Sequence, residues 1–348
     1  MLDRFFGLFS HDIGIDLGTA NTLVYVKGKG ILIREPTVVT IHKKTKEVLA
    51  VGAEAKRMLG KTPSTITAIR PLRDGVISDF YVTEKMLAYF IRAVHDTPSR
   101  FPKVPRPKIV LGVPSGVTSV ERKAVIDAAR NAGARQAFLL EEPMAAAIGA
   151  GLPIHEPKGT LIVDMGAGTT EIAVISLGGL VLNRSLPVAG DELDQAIVDY
   201  AKQKYNMLLG DRTAEELKLR IGTAIEQRND PDLKAMMSGR NLKSGLPKSV
   251  EITGSELREA LKIPVNTIIG AIKDVIEDSP AELVPDILRH GVYLAGGTSQ
   301  LPGLDKLMST ELKVPVHIIK DPMTCVVRGC GLVLENNLLL ERLQIAKG

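Results

Sequence analysis

Two stretches of this chain share one pattern and decide its fold: IGIDLGTANT at residues 13–22 and LIVDMGAGTT at residues 161–170. In each stretch an apolar strand ends in an aspartate, a turn rich in glycine and threonine follows, and a second apolar strand begins. The copies lie about one domain length apart along the chain. We therefore expect two like lobes, each of which presents the same hairpin turn to a cleft between them.

The composition of both turns suits the binding of phosphate. Gly18, Gly166 and Gly168 allow the main chain to approach a ligand closely, and successive turn amides form a site for an anion. The side chains that can add hydrogen bonds are Thr19, Asn21 and Thr169. A Gly-containing hairpin is weak evidence by itself, because such hairpins are common. It is the duplication of the pattern that favours a polyphosphate site.

The aspartate that ends each first strand is a candidate magnesium ligand. Mg²⁺ dehydrates reluctantly and is held by few carboxylates, so Asp16 and Asp164 are suited to bind it through its water molecules. The alternative interpretation is that both hairpins are structural and that each aspartate caps its turn.

Composition excludes several classes of function. The chain has 348 residues, a length that suggests about two domains, and its apolar fraction of 45% is that of an ordinary globular protein. The net charge is only +4, tryptophan is absent and aromatic residues make up 4%, so nucleic acid is not an expected partner. The two cysteines, Cys325 and Cys330, are typical of a reducing cytoplasm and not of a disulfide scaffold.

Strand and helix patterns alternate along the chain and predict an α/β protein with a mixed sheet in each half. The predicted helices cover residues 53–59, 82–94, 119–132, a segment that opens at 142, 255–277, 304–312 and the chain from 325 onward. The predicted strands are a hairpin at 13–33, 37–41, 108–113, 138–140, a second hairpin at 160–182, 291–295 and 316–319. Residues 183–255 are predicted as a mostly helical, charged insert.

The first nine residues form an unusual apolar leader. At helical spacing, Leu2, Phe5, Phe6 and Phe9 share one face. The segment is too short for a secretion signal. It is interpreted as a disordered tag, as an extension that packs on the core, or as an interfacial membrane anchor.

A second candidate membrane contact is the loop at 96–108, which contains four prolines and the aromatic residue Phe101. Its basic residues suit an anionic membrane surface. A proline-rich surface loop with scattered charge explains the same residues equally well.

Several motifs together resemble one superfamily. Besides the two hairpins they are EEPMAAAIG at 141–149, AGGT at 295–298, RPLRDGVI at 70–77, AGDELD at 189–194 and the stretch 210–222. This combination resembles the superfamily of actins, heat-shock chaperones and sugar kinases and, within it, the MreB family of bacterial actins. The resemblance covers nearly the whole chain. Two departures are visible: Ala167 stands where the family more often has glycine, and AGGT replaces the commoner TGGG.

The resemblance implies an actin-like fold with two duplicated lobes, mixed β-sheets flanked by helices and a nucleotide cleft between the lobes. It divides the chain into four subdomains. These are a core of lobe I (1–33, 76–152 and 322–348), a small subdomain of lobe I (34–75), a core of lobe II (153–182 and 256–321) and a small subdomain of lobe II (183–255).

The resemblance also implies roles for particular residues. Thr19, Ala20 and Asn21 would contact phosphates from one side, and Ala167, Gly168 and Thr169 from the other. The nucleoside would be held by two groups: Glu215, Glu216, Leu217 and Lys218, and Ala295, Gly296, Gly297 and Thr298. Glu142 would position the attacking water with help from Thr169. From the residues alone, a glutamate that begins a helix serves equally to complement the helix dipole.

The function that the resemblance implies is a cytoskeletal filament of many copies of this chain. Slow hydrolysis of ATP or GTP with Mg²⁺ would regulate assembly on the inner face of the cytoplasmic membrane. The expected partners are membrane proteins of the cell-elongation machinery, and the expected outcome is the organisation of wall synthesis and rod shape. The alternatives are a chaperone-type ATPase and a soluble kinase of small molecules on the same fold. For a kinase the candidate bases are Asp191 and Asp194, which are better interpreted as capping a helix from 191.

Overall fold

The computed structural model describes residues 10–95, 105–226 and 232–342. Two five-stranded sheets form its centre. In spatial order the first contains β10 (Gln136–Glu141), β9 (Lys108–Val113), β1 (Ile13–Leu17), β2 (Asn21–Val26) and β3 (Gly30–Pro36). The second contains β18 (Val316–Ile318), β17 (Val292–Ala295), β11 (Thr160–Met165), β12 (Thr170–Ser176) and β13 (Gly179–Leu186). The predicted leader contacts at Leu2, Phe5, Phe6 and Phe9, and Phe101 in the loop, lie outside the described residues.

The two sheets have the same topology, which confirms the predicted duplication. In each, the first three strands in sequence pair antiparallel, and the next two pair parallel on the other side of the first strand. The registers correspond as well, because Asp16 pairs with Gly112 and Asp164 pairs with Ala295. Each aspartate therefore lies near the carboxyl end of a central strand, where open α/β sheets bind their ligands.

Each lobe carries a smaller unit. In the first lobe it comprises β4 (Val39–His42), β5 (Val48–Val51), β6 (Ile66–Ile69) and α1 (Ala53–Met58), followed by the two-stranded ribbon of β7 (Leu72–Arg73) and β8 (Val76–Ile77). In the second it comprises α5 (Gly190–Tyr205), β14 (Met207–Leu208), α6 (Asp211–Ile221), β15 (Lys234–Asn241) and β16 (Pro247–Thr253). The exact boundaries predicted for the four subdomains stay a prediction.

The prediction of a mostly helical insert at 183–255 is wrong in part, because β14, β15 and β16 form a sheet there. In β15 the side chains of Ala235 and Met237 are buried while Met236 and Ser238 are exposed. This alternation is the pattern of a half-buried strand. Its buried face packs against helix α6 of the same unit.

The remaining helices match the sequence prediction within about two residues where a range was predicted, but α8 was not predicted. They are α2 (Phe80–His95), α3 (Ser119–Asn131), α4 (Glu142–Ala150), α7 (Gly254–Asp278), α8 (Val284–His290), α9 (Leu304–Leu312), α10 (Cys325–Glu335) and α11 (Asn337–Arg342). Capping boxes begin two of them: Thr118 with Glu121 for α3 and Thr253 with Glu256 for α7. Within the described part of the chain, no helix has both the length and the apolar character needed to cross a membrane.

Helices α4 and α10 pack between the two sheets and join the lobes. Their common core includes Val110 and Phe138 from the first sheet and Ile162 from the second, together with Cys330 of α10. The helices approach each other closely where each has a glycine. A Cβ on Gly329 would lie 1.9 Å from the carbonyl oxygen of Ala145, so a larger residue does not fit there without movement of a helix.

Candidate functional site

The two glycine-rich turns of the duplicated pattern face each other across the boundary between the lobes. A Cβ added to Gly168 would lie 2.7 Å from Oγ1 of Thr19 and 3.0 Å from Cα of Asp74. The main-chain N–H of Gly75 donates a hydrogen bond of 3.1 Å to the same Thr19 oxygen. Both turns and the ribbon between β7 and β8 therefore meet at one place, as the duplicated pattern predicted.

The first turn is held by residues that follow it in sequence. The hydroxyl of Thr37 donates to the carbonyl oxygen of Gly18 at 2.7 Å, and the N–H of Thr37 donates to Ala20 at 2.9 Å. Asn21 leaves its side chain exposed at the start of β2. A Cβ on Gly18 would lie only 2.8 Å from the carbonyl oxygen of Asn21, so the tight turn requires glycine.

The second turn is held by two segments far from it in sequence. Its own hydrogen bond runs from the N–H of Gly166 to the carbonyl oxygen of Thr169 at 2.9 Å. The hydroxyl of Thr298 donates to the carbonyl oxygen of Gly166 at 2.7 Å, and the N–H of Asp191 donates to that of Ala167 at 2.8 Å. The AGGT stretch therefore packs directly against the turn.

Glycine is required at the first Gly of that AGGT stretch. Gly296 has φ of +80°, a conformation that other residues rarely adopt, and a Cβ there would lie 2.2 Å from the carbonyl oxygen of Met165. Ala295, just before it, is buried at the end of β17, and Gly297 follows before the short 3₁₀ turn Thr298–Gln300.

Four carboxyl groups lie behind the turns, at the boundary of the lobes. Burial raises the pKa of Asp16 to about 7. Burial also raises the pKa of Asp164, and the charges of Asp16 and Glu171 raise it further. The pKa of Glu142 is raised well above its ordinary value, first by burial and then by the charges of Glu171, Asp16 and Asp164. No lysine or arginine is among the causes of these three shifts, so burial and mutual repulsion favour the protonated form of each carboxyl group.

Glu142 is the first residue of α4, and the structure places it on the lobe I side of this cluster. Its side chain is 9% exposed. Its neighbour Glu141 forms an ion pair with Arg122 at 2.7 Å, which indicates a structural role for Glu141. Thr169 is 8% exposed and ends the second turn, where its carbonyl oxygen accepts the hydrogen bond from Gly166.

The residues expected to hold the nucleoside are only partly brought together. Glu215 forms an ion pair of 3.3 Å with Lys56 of α1, across the opening between the two smaller units, and both line a cavity of about 290 Å³. Lys218 is paired with Asp194 at 2.9 Å and donates to the carbonyl oxygen of Gly190.

Of the other two residues of this group on α6, Glu216 also lines that cavity and Leu217 does not. Leu217 is 4% exposed and its side chain belongs to the hydrophobic core of lobe II, so any contact of Leu217 with the nucleoside would come from its main chain; its place in this group stays a prediction. Glu216 is exposed and pairs with Arg212 one helical turn earlier. In an amphipathic helix such as α6, consecutive residues point in different directions.

The candidate kinase bases are both engaged. Asp191 forms an ion pair with Arg70 at 3.7 Å, and Asp194 forms the pair with Lys218 described above. The expected helix cap at 191 is wrong, because α5 begins at Gly190 and its N-cap residue is Ala189. Glu192 accepts a hydrogen bond from the N–H of Ala189 instead.

Sequence reasoning missed Glu171, which is 1% exposed on β12. Its carboxylate accepts hydrogen bonds from Ser115, which follows β9 of the other lobe. A signal was available in the sequence: Glu171 is the one charged residue of β12, whose other members are apolar, serine or threonine.

Comparisons with known proteins agree with this geometry. A sequence profile of the MreB/Mbl protein family matches residues 10–342. The chain is 49% identical to the cell shape-determining protein MreB of Escherichia coli K12, with 96% of each protein covered. It is 47% identical to the cell shape-determining protein Mbl of Bacillus subtilis 168, with 94% of this chain and 97% of that protein covered.

Solved structures show the same fold. MreB5 of Spiroplasma citri bound to ADP superposes with a TM-score of 0.88 at 34% identity and covers 96% of this chain and 99% of that chain; its AMPPNP complex has the same score and identity. The duplicated sheets and the cleft between them define an actin-like protein. More narrowly, the chain belongs to the MreB/Mbl family.

Proposed function

We propose that this chain binds ATP and Mg²⁺ between its lobes, hydrolyses the nucleotide slowly, and assembles with copies of itself into a cytoskeletal filament that organises wall synthesis and cell shape. The observation that carries the proposal is the meeting of two duplicated glycine-rich turns in front of four carboxyl groups. Two further facts support it. The MreB and Mbl relatives are cell shape-determining proteins, and the S. citri relative binds ADP and AMPPNP.

The phosphates of the nucleotide would lie between the turns. Amides and hydroxyls of Thr19, Ala20 and Asn21 approach from one lobe, and those of Ala167, Gly168 and Thr169 from the other. The nucleoside would lie toward the AGGT stretch, between Thr298 and the outer pair Glu215 and Lys218. ATP is preferred to GTP in this proposal because the S. citri relative carries adenine nucleotides.

The donor set behind the turns fits Mg²⁺ held through water. Among the described residues no three acidic, histidine or cysteine side chains are placed to ligate a metal ion directly. Asp16 and Asp164 nevertheless face each other closely enough for the charge of Asp16 to raise the pKa of Asp164. A hydrated Mg²⁺ suits such a pair and, when bound, would neutralise charge on the phosphates.

Glu142 and Thr169 would serve hydrolysis. The Glu142 carboxylate would accept a hydrogen bond from the attacking water and orient it toward the terminal phosphate, and the Thr169 hydroxyl would support the same water. Glu142 stands on lobe I and Thr169 on lobe II. Closure of the lobes would therefore bring Glu142 and Thr169 to the same water. Turnover would be slow because the lobes close infrequently.

Membrane attachment is proposed at one place. The two predicted contacts, residues 1–9 and the 96–108 loop, leave the described fold side by side. The Ser10 hydroxyl accepts a hydrogen bond of 2.8 Å from the N–H of Arg106, and the N–H of His11 donates to Nε2 of His95 at 2.8 Å. Both segments would together bind the inner face of the cytoplasmic membrane, where proteins of the elongation machinery would meet the filament.

The test combines sedimentation with phosphate release. With ATP and Mg²⁺ the unaltered chain should pellet and release phosphate. Glu142→Gln should keep nucleotide affinity and lose phosphate release, whereas the matched neighbour Glu141→Gln should retain it. A chain that never pellets under any nucleotide or salt condition contradicts the filament proposal, and unchanged turnover in Glu142→Gln removes Glu142 from its role.

A further inference from the structure

The duplicated hairpins differ at one buried position. Leu23 pairs with Asp16 in the first sheet, and Glu171 pairs with Asp164 in the second, so the two residues occupy equivalent sites. Both are buried, at 6% and 1% exposure. In lobe I the same strand pairing forms with a leucine at this position. The pairing itself therefore does not require a carboxylate. A buried carboxylate is costly unless it is well bonded, which raises the question of what Glu171 does.

Glu171 spans the boundary between the lobes. One carboxylate oxygen, Oε2, accepts hydrogen bonds from the N–H of Ser115 at 3.0 Å and from its hydroxyl at 2.6 Å. The other, Oε1, accepts from the hydroxyl of Ser185 at 2.5 Å, on the neighbouring strand β13 of the same lobe. Two of these three donors belong to lobe I. The lobes are close here, because a Cβ on Gly116 would lie 3.1 Å from Cβ of Ser185.

The segment that Glu171 binds also supports Glu142. Ser115 follows β9, and a Cβ on Gly112, near the end of that strand, would lie 3.6 Å from Cγ of Glu142. Strand β10, which leads directly into Glu142, pairs with β9 as far as Val113. Glu171 is also near enough that its charge is the second largest cause, after burial, of the raised pKa of Glu142.

The same segment touches the first phosphate turn indirectly. A Cβ on Gly75 would lie 2.4 Å from Cγ of Pro114, and the N–H of Gly75 donates to Thr19. Glu171 is therefore linked through the 113–115 segment to both the water-positioning glutamate and a phosphate-binding threonine.

We propose that Glu171 is a positioning residue for hydrolysis: its carboxylate clamps Ser115 of lobe I to lobe II and thereby holds Glu142 in register with the Thr169 turn. The inference rests on the proposed ATPase function. When the lobes separate, the buried carboxylate loses two of its three donors, so the clamp favours the closed arrangement. In that arrangement the water-orienting group stands at a defined place, and misplacement of such a group by about 1 Å costs roughly 100-fold in rate.

The test uses the full chain with ATP and Mg²⁺ and compares Glu171→Gln, Ser115→Ala and the double variant. Glu171→Gln should lower kcat by about 10-fold to 100-fold, the usual loss when a supporting partner is removed. Its KM and its affinity for ADP should stay within about threefold, since phosphate contacts are intact. Ser115→Ala keeps the N–H donor, so its kcat should fall by only about threefold to tenfold. The double variant should be no slower than Glu171→Gln. Two controls, Glu311→Gln on the surface and Ser279→Ala in a buried helix end, should match the unaltered chain.

Three results would overturn the clamp. They are a kcat of Glu171→Gln within about threefold of the unaltered chain, a raised KM without loss of kcat, and losses in the two single variants that add in the double variant. If Glu171→Gln does not fold, the kcat and KM of Ser115→Ala decide by the first two criteria.

Failure of the proposed function is distinguishable from failure of the clamp. If the unaltered chain releases no phosphate, the ATPase proposal fails. The contact between Glu171 and Ser115 is then tested separately by hydrogen exchange. The Ser115 amide should exchange faster in Glu171→Gln than in the unaltered chain, because its acceptor is weakened. Equal exchange in both proteins rejects the clamp.

Discussion

Replacing Gly329 by alanine tests whether the close crossing of α4 and α10 holds the two lobes together. A Cβ on Gly329 would lie 1.9 Å from the carbonyl oxygen of Ala145. A carbon–oxygen contact needs about 3.3 Å, so the helices must separate by about 1.4 Å. Because backbone lies on both sides of the contact, a side-chain rotation cannot relieve it. We expect a loss of about 3 kcal/mol or more in the free energy of unfolding, at the upper end of overpacking effects.

The assay is thermal unfolding followed by circular dichroism. For a chain of this size 1 kcal/mol corresponds to roughly 2 °C, so the midpoint of Gly329→Ala should fall by about 6 °C or more. The matched control is Gly270→Ala in the interior of α7, where an added Cβ meets no atom within 4 Å. That substitution should raise stability by up to about 1 kcal/mol through helix propensity. If Gly329→Ala and Gly270→Ala unfold at the same temperature, the reasoning from helix contact is refuted.

Three further predictions concern the cleft, pH and the membrane. The Lys56–Glu215 pair is partly exposed, so Lys56→Ala should speed release of a fluorescent ADP by no more than about fivefold. High salt should abolish the difference, because it screens the ion pair. An effect that does not depend on salt contradicts the idea that this ion pair slows release. Burial raises the pKa of Asp194 to about 6 in spite of Lys218 beside it. The folded state therefore binds this proton more tightly than the unfolded state, and the contribution to stability is lost as pH rises from about 4 to about 6; Asp194→Asn should flatten that part of a urea-unfolding profile. Deletion of residues 1–9 should reduce co-sedimentation with anionic liposomes, and undiminished binding rejects the leader as an anchor.

Much of the fold was predictable because local patterns decide it. The alternation in the two hairpins, the capping residues before α3 and the proline after Glu142 are all local signals, and the elements form where these signals predict them. The strands β15 and β16 escaped prediction because their alternation stands within a charged segment. Their sheet is stabilised by a helix that packs on one face, and the local sequence of the strands does not indicate that packing.

The candidate site divides in the same way. Glycine at 18 was predictable from the turn pattern, whereas Gly296 was named only through the family resemblance; the structure shows close contacts that require glycine at both positions. The orientation of Leu217 was not predictable from a family motif, because a motif names a stretch and the helix turns each of its residues to a different side. Glu171 was missed because its importance lies in a partner on the other lobe.

The sequence by itself determined the duplication, the two phosphate-type turns, their aspartates and the helix that Glu142 begins, since each depends on residues that are neighbours in the chain. Only the tertiary structure decided which groups meet across the lobes: Thr19 with the Gly168 turn, Ser115 with Glu171, and the four carboxyl groups with one another. The physical reason is that these contacts depend on how α4 and α10 pack between the two sheets, and that packing is set by the shapes of many buried side chains at once.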